Sequence, residues 1–155
     1  MIMKILVMNG PNLNMTGIRE KHLYGSQTLE EVNARIREAG EQRGHVITFY
    51  QSNHEGDIID QFHKMYFDNN VDGVIYNPGA HVHYSYAIKD AIIASQRPVI
   101  EVHFANLYKR VVTDGEYRKI SVTAPACVGY IAGLGAIGYV LAIQGLEDII
   151  KNKSS

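Results

Sequence analysis

The chain has 155 residues, of which 46% are hydrophobic and 20% are charged, and its formal net charge is −1. This length and composition suit one globular domain, and the charge balance lacks the basic excess that favours nucleic-acid binding. An anionic ligand would therefore be held by local groups, either an arginine or backbone N–H donors. The lone Cys127 excludes an intramolecular disulfide framework and fits a reducing compartment. The length predicts a single domain over residues 1–155. Because the N-terminus shows no signal-peptide pattern, we expect a cytoplasmic protein.

Short apolar runs predict the strands, and polar residues end each of them. The first run is followed by Asn9-Gly10-Pro11-Asn12, where proline lacks the N–H that a strand needs. The predicted strands cover residues 3–8, 45–51, 71–76 and 98–103, with a short fifth strand at 120–123.

Amphipathic segments between these runs predict helices. Thr28 and Glu31 have the spacing of a capping box, and they begin a helix that Arg43-Gly44 ends. Apolar faces predict two further helices, around residues 58–66 and 87–92, and an irregular polar stretch follows the fourth strand.

The last third of the chain contains a long segment without charge. Residues 120–146 have no charged side chain and are long enough to span a bilayer. Pro125 and five glycines within them favour instead a buried helix, over about 129–149, packed against a sheet or another subunit. We therefore expect no membrane span.

Alternation of short apolar strands with helices predicts an α/β fold, a parallel sheet with helices on both faces. Ligands of such sheets bind at the carboxyl ends of the strands. The residues expected at that edge are 9–14, 52–55, 77–83 and 101–106.

A long irregular segment follows the first strand. It contains Asn12 and Asn14 and, between residues 17 and 25, Arg19 and Tyr24. Loops of this length are commonly lids or binding loops, so we interpret 17–25 as a lid over the site. An ordinary surface loop remains the alternative at this point.

Glu101 and His103 lie two residues apart near the end of the fourth predicted strand, so their side chains share one face. A carboxylate beside an imidazole fixes its orientation and favours its protonated form, which suits a general acid. The alternative is a core histidine that a neighbour satisfies.

The segment after the third strand, Asn77-Pro78-Gly79-Ala80-His81-Val82-His83, allows several interpretations. Asn77 could orient a water or a substrate hydroxyl, but Asn-Pro-Gly also makes a good turn. His81, His83 and His103 suggest a metal site, which we disfavour because no carboxylate or cysteine stands beside them at ligand spacing.

Two other catalytic classes lack their motifs. Gly133-Leu134-Gly135 with Gly138 imitates a dinucleotide fingerprint, but the apolar pattern places it inside a helix. Cys127 has no local signature of a nucleophile. We therefore expect neither a nucleotide cofactor nor acyl-enzyme chemistry.

The remaining chemistry pairs Tyr24 and Arg19 with His103 and Glu101. Half-ionisation of a tyrosine at neutral pH needs ~4 kcal/mol of phenolate stabilisation, and one nearby cation supplies roughly a third of this or more. Arg19, with Arg110 as a second cation, could provide it. A phenolate base and an imidazole acid suit proton removal beside a carbonyl followed by loss of water.

Six sequence blocks make the chain recognisable. They are NGPNLN (9–14), G-x-RE…YG (17–25), QSNHEG (51–56), NPGA…H (77–83), IEVH..N (100–106) and GLGA.GY (133–139). With these blocks in order, residues 3–146 resemble type II 3-dehydroquinate dehydratase. The resemblance implies a flavodoxin-like three-layer sandwich with a five-stranded parallel sheet, a dodecamer built as a tetramer of trimers, and no metal or cofactor.

The resemblance also implies a reaction, the anti elimination of water from 3-dehydroquinate through an enolate to give 3-dehydroshikimate. Tyr24 would be the base, with Arg19 and Arg110 favouring its phenolate. Asn12 would hold a water at the enolate oxygen, and His103, oriented by Glu101, would protonate the departing hydroxyl. Both aromatic biosynthesis through the shikimate pathway and quinate breakdown use this step.

The substrate-binding residues also follow from the resemblance. The substrate carboxylate would contact Asn77 and the backbone N–H groups of Phe104 and Ala105. His83 and Arg118 would hold the ring hydroxyls, and Asp90 would reach in from a neighbouring subunit. Arg110 would also belong to the substrate-binding set.

Three departures from the family pattern stand out. Ala105 replaces the usual serine, Lys21 replaces the usual proline after the lid Arg-Glu, and residues 111–117 form a longer stretch between Arg110 and Arg118. Two alternatives remain, a flavodoxin-like protein that binds FMN or another phosphate ligand, and an inactive scaffold. Retention of Arg19, Tyr24 and His103 together argues against the scaffold.

Overall fold

The computed structural model describes residues 1–154, except for the side chain of Tyr24. Within this range five parallel strands form one sheet. They are β1 (Lys4–Asn9), β2 (Val46–Gln51), β3 (Gly73–Asn77), β4 (Val99–His103) and β5 (Gly129–Ala132). The spatial order is β2-β1-β3-β4-β5, so successive strands are added in opposite directions on the two sides of β1.

Helices connect the strands and cover both faces of the sheet. Their bounds are α1 (Lys21–Tyr24), α2 (Leu29–Gln42), α3 (Glu55–Asp68), α4 (Tyr86–Ser95), α5 (Leu107–Asp114) and α6 (Ile137–Lys153). The predicted capping box begins α2, since the Thr28 hydroxyl accepts from the Glu31 N–H and the Glu31 carboxylate accepts from the Thr28 N–H.

Alternation along the strands builds two cores. Ile5 and Val7 on β1 face a core that also contains buried residues of α2 and α6. Leu6 and Met8 face the opposite core, with buried residues of α3 and α4. This confirms the predicted α/β class, and the strand order is that of the flavodoxin-like three-layer sandwich.

The prediction for the last third of the chain is wrong in two places. The fifth strand is Gly129–Ala132, which pairs with β4 from Ile100 to His103, and not residues 120–123. The last helix begins at Ile137, not near residue 129. Short apolar runs do not distinguish strand from helix by periodicity, and pairing with β4 decides the matter here.

A further difference concerns the stretch after the fourth strand. It was predicted to be irregular, but it contains α5, whose first turn is capped by the Asn106 side chain accepting from the Tyr108 N–H. None of the helices in residues 1–154 is long and apolar enough to cross a membrane.

Candidate active site

A cavity opens at the carboxyl ends of β1, β3 and β4, where parallel sheets bind their ligands. The predicted site residues that line it are Asn12, Arg19, Asn77, His83, His103, Phe104, Ala105, Arg110 and Arg118. Glu101 is buried behind His103, and Asp90 is exposed on α4, outside this lining. The predicted base, Tyr24, has its side chain outside the described part of the structure.

The end of β2 supports the cavity instead of lining it. Residues 52–55 were expected at the ligand edge, but the cavity wall does not include them. Asn53 Oδ1 instead accepts from the Asn12 N–H at 3.0 Å, and Gln51 Nε2 donates to the Gly10 carbonyl at 3.2 Å. These bonds fix the loop that presents Asn12, whose own backbone is left-handed (φ 67°).

Glu101 and His103 make the contact that their spacing predicts. His103 Nε2 lies 2.9 Å from Glu101 Oε2, and both side chains are almost fully buried. Two hydroxyl groups also donate to the Glu101 carboxylate, Ser121 at 2.9 Å and Thr123 at a shorter distance. A buried carboxylate with three donors is fixed in place, so the imidazole that it contacts is fixed as well.

Sequence reasoning missed Ser121 and Thr123. The strand predicted over residues 120–123 gave their hydroxyls no role. In the structure this segment is a loop, tied to the site by the Val122 N–H, which donates to the Val82 carbonyl at 2.8 Å. No local signal identifies such donors, because the chain separation from Glu101 is about twenty residues.

Three tyrosines near the site are held as neutral phenols. Burial, and then the charge of Glu101, raises the pKa of Tyr76 well above its ordinary value. The same two causes raise the pKa of Tyr130 to about 12, and its ring centroid lies 5.6 Å from that of His103. Burial also raises the pKa of Tyr139. None of these three phenols suits a base at neutral pH.

Asn77 is fixed by a chain of hydrogen bonds that reaches α6. Its Nδ2 donates to the Tyr139 hydroxyl at 2.8 Å, which in turn donates to Asn9 Oδ1 at 2.7 Å. Asn77 Oδ1 accepts from the Gly79 N–H at 3.1 Å, as in the turn that the sequence suggested. One N–H of the Asn77 amide is therefore committed, and the second is oriented by this framework.

Two glycines of the motif, Gly133 and Gly135, lie in a loop between β5 and α6 and not inside a helix as predicted, whereas Gly138 lies in α6. The N–H groups of the loop are used internally, Gly133 donating to the His103 carbonyl at 3.2 Å and Gly135 to the Phe104 carbonyl at 3.0 Å. Gly133 has φ 90°, and a Cβ there would lie 3.1 Å from Asn106 Cβ. The loop therefore positions the backbone after β4.

Ion pairs connect the cationic side chains of the cavity. Arg19 pairs with Glu20, its neighbour in the chain, and also donates through Nε to the Asn12 carbonyl at 3.3 Å. The buried Arg110 lies 3.5 Å from Glu20 and 3.0 Å from Asp114. Neither carboxylate was identified from the sequence.

His83 enters the cavity from the turn after β3. Its Nδ1 lies 2.9 Å from the Ile120 carbonyl, which fixes the neutral tautomer with the proton on Nδ1. Burial lowers the pKa of His83, although the Ile120 hydrogen bond opposes this. Nε2 is thus the acceptor of the ring.

The three histidines considered as metal ligands do not form a cluster. His81 packs against Tyr84 with ring centroids 5.8 Å apart, whereas His83 packs against Tyr117. His103 contacts Glu101. No group of three or more His, Cys, Asp or Glu residues in the described structure is placed to hold a metal ion.

Comparisons with known proteins show similarity to one enzyme family over nearly the whole chain. A sequence model described as dehydroquinase class II matches residues 3–147. A protein of Clostridium beijerinckii named 3-dehydroquinate dehydratase is 54% identical over 145 residues, covering 94% of this chain and 96% of the relative. One of Caldicellulosiruptor bescii with the same name is 50% identical over 147 residues, covering 95% and 98%.

Solved structures give the same result. A type II dehydroquinase from Butyrivibrio crossotus superposes with a TM-score of 0.87 at 48% identity, covering 94% of this chain and 97% of the other. One from Propionibacterium acnes superposes with a TM-score of 0.84 at 38% identity, covering 92% and 94%. The chain belongs to the dehydroquinase class II family.

Proposed function

We propose that this protein is a hydro-lyase that dehydrates 3-dehydroquinate to 3-dehydroshikimate. The observation that supports this most strongly is the cavity in which His103, fixed by a buried carboxylate, faces the lid residue Arg19. Family membership and close relatives named for this activity point to the same reaction.

His103 is the proposed general acid. Glu101 takes the Nε2 side of its ring, so Nδ1 is the nitrogen through which a proton would pass to the departing hydroxyl. The Ser121 and Thr123 hydroxyls keep Glu101 in position while the charge of the imidazole changes. An acid fixed in this way needs little rearrangement during the reaction.

Tyr24 is the proposed base that removes a C2 proton. The lid places Arg19 at the cavity, five residues before Tyr24 in the chain. The buried Tyr76 and Tyr139 and the half-buried Tyr130 are unsuited to the role because their raised pKa values keep them protonated. Arg19 belongs to the same segment as Tyr24, and its positive charge would favour a phenolate there.

Glu20 modifies the expected role of the arginines. Arg19 and Arg110 were both expected to favour the phenolate, but both are paired with Glu20 here. The Tyr24 phenolate must therefore share these cations with a carboxylate, or displace it when the lid closes. Elimination would then proceed through an enolate, with a water held by Asn12 at the carbonyl oxygen.

Binding would use the groups around the reacting centre. The second N–H of Asn77 and the backbone N–H groups of Phe104 and Ala105 would take the substrate carboxylate. His83 Nε2 would accept from a ring hydroxyl, and Arg118 would hold another. Asp90 is exposed on α4, so it would serve a neighbouring subunit's site in a dodecamer built as a tetramer of trimers.

An absorbance assay tests the proposal. Incubation with 3-dehydroquinate should produce the conjugated enone of 3-dehydroshikimate, which absorbs in the near ultraviolet, whereas the substrate has no conjugated alkene. The His103→Ala variant, folded by circular dichroism, provides the background rate. A wild-type protein that produces no more enone than this variant would contradict the proposed function.

A further inference from the structure

We propose that Asp114 is a positioning residue for substrate binding, which holds the guanidinium groups of Arg110 and Arg118 side by side in the cavity wall. The inference rests on the proposed function. It assigns a role to a residue in the stretch 111–117, which is longer than in the family pattern.

The spacing of these three residues explains how one carboxylate reaches two arginines. Asp114 follows Arg110 by four residues and precedes Arg118 by four. Arg110 and Asp114 lie on α5, one turn apart on the same helix face. Gly115 then ends the helix with φ 118°, a left-handed conformation that favours glycine, and the next short turn brings Arg118 back beside Asp114.

The contact distances support a double ion pair. Asp114 Oδ2 lies 3.0 Å from Arg110 Nη2 and 2.9 Å from Arg118 Nε. The first contact is an aligned hydrogen bond, whereas the second has the distance of an ion pair without hydrogen-bond alignment. Arg110 is buried, and a buried cation needs such a counter-charge.

The charge of Asp114 is maintained by its surroundings. The Thr113 hydroxyl, and then the two arginines, lower the pKa of the Asp114 carboxyl. The group is therefore ionised at neutral pH, and both arginines keep their partner through the pH range in which the enzyme would work.

A second contact restricts Arg118 from another side. Its guanidinium carbon lies 5.2 Å from the centroid of the Tyr117 ring. The same ring meets His83 edge-on, with centroids 5.2 Å apart. Arg118 and His83, the two residues proposed for the ring hydroxyls, are thus placed by Asp114 and Tyr117 together. Among the described residues, loss of Asp114 would leave Arg118 with the contact to the exposed Tyr117 ring.

The test compares Asp114→Ala and Asp114→Asn with the matched control Glu116→Gln. Glu116 is also acidic and also paired, with Lys119, but its side chain is exposed and does not line the cavity. We expect Asp114→Ala to raise KM for 3-dehydroquinate by about tenfold, the effect of losing one charge-assisted contact in the binding site. The kcat should stay within about threefold of wild type. Asp114→Asn keeps a hydrogen-bond acceptor without the charge, so its KM should lie between those of wild type and Asp114→Ala. The KM of Glu116→Gln should match that of wild type.

Binding of quinate, an unreactive ring carboxylate, gives a second readout by calorimetry. The dissociation constants should follow the same order, and thermal melting identifies any variant that fails to fold. If Asp114→Ala is unfolded, Asp114→Asn provides the test. A wild-type protein that binds quinate but forms no product contradicts the proposed function, while weaker binding by the folded variant still supports this inference. Unchanged KM and quinate affinity, or a fall in kcat alone, would overturn it.

Discussion

At the level of single side chains, buried polar residues fix the orientation of the groups proposed to act on the substrate. Glu101 accepts from two hydroxyls and contacts His103, and Tyr139 connects Asn77 to Asn9. In both cases a fully buried group determines the orientation of a residue in the cavity wall. The cavity wall is therefore preorganised at the ends of β3 and β4, and the proposed lid, residues 17–25, would supply the groups on the other side.

Replacing Tyr24 by phenylalanine should remove the base and nothing else. Because only the phenolic oxygen is lost, the protein should fold normally, whereas turnover should fall by ~10²–10⁴-fold or more. Steady-state rates in the enone assay provide the measurement. Turnover within about threefold of wild type would remove Tyr24 from the mechanism, since general-base catalysis contributes far more than this.

Replacing His103 by alanine should block loss of water more than proton removal. The variant should still exchange the C2 proton of 3-dehydroquinate with deuterated solvent while it forms little product. Proton NMR of the substrate and the enone assay measure the two steps separately. Glu101→Gln is the matched variant and should give a smaller loss. Normal turnover by His103→Ala would leave the Glu101–His103 contact with a structural role only.

At the level of secondary-structure elements, hydrogen bonds between loops and strand ends hold the site in place. The loop between β5 and α6 donates to the carbonyls at the end of β4, and the end of β2 holds the loop after β1. At the amino end of β2, Glu147 on α6 pairs with Arg43 and lies 2.5 Å from His45 Nε2. Arg43 and His45 both come just before β2 in the chain. The Met3 N–H donates to His45 Nδ1, so the imidazole proton lies on Nε2.

Glu147 predicts a pH dependence of stability. The Arg43 hydrogen bond, and then His45, lowers the pKa of its carboxyl to about 2, against an opposing effect of burial. A carboxyl whose pKa is lowered by folding stabilises the protein at pH values above its ordinary pKa. This stabilisation is lost as the pH falls through the pKa that the group has in the folded protein. Glu147→Gln should therefore cost about 1–2 kcal/mol at neutral pH, since Arg43 is partly exposed.

Thermal melting at several pH values measures this contribution. The melting temperature of Glu147→Gln should lie about 3–6 °C below that of wild type at neutral pH. The difference should shrink between the ordinary carboxyl pKa of 4.5 and the folded value of about 2. A difference that stays constant down to the lower value would show that the charge of Glu147 is not responsible.

The elements also show what could be predicted from the sequence. β1 to β4, the capping box of α2 and the contact between Glu101 and His103 follow from local patterns, and the structure has them. The strand at Gly129–Ala132 depends on pairing with β4, and the role of Ser121 depends on a residue far away in the chain. Local periodicity contains neither kind of information.

Assembly concerns the whole molecule, and the structure removes one of the two reasons to expect it. The long apolar helix expected to need a partner is instead the strand β5, a loop and α6, whose buried residues pack on the sheet. The proposal of an oligomer now depends on the resemblance and on α4, where Asp90 is exposed near Tyr84 and Tyr86, which are 60% and 63% exposed. Exposed tyrosines suit a subunit contact.

Sedimentation at micromolar concentration should show a trimer or a multiple of three, with the dodecamer expected. If Asp90 completes the site of a neighbouring subunit, trimers should remain active and monomers should lose activity. Dilution combined with the enone assay measures this. Lys89→Ala, a neighbouring substitution on the same helix, is the control for an Asp90→Ala variant, which should lose activity. A fully active monomer would contradict the role proposed for Asp90.

The most direct measurement follows each C2 hydrogen of 3-dehydroquinate separately. Substrate deuterated at the C2 position anti to the departing hydroxyl is incubated with the protein, and the product is analysed by mass spectrometry. Removal of that proton by Tyr24 and protonation of the hydroxyl by His103 predict 3-dehydroshikimate without deuterium, while the opposite label is retained. Retention of the anti label with loss of the other, or no product from either substrate, would contradict the proposed elimination.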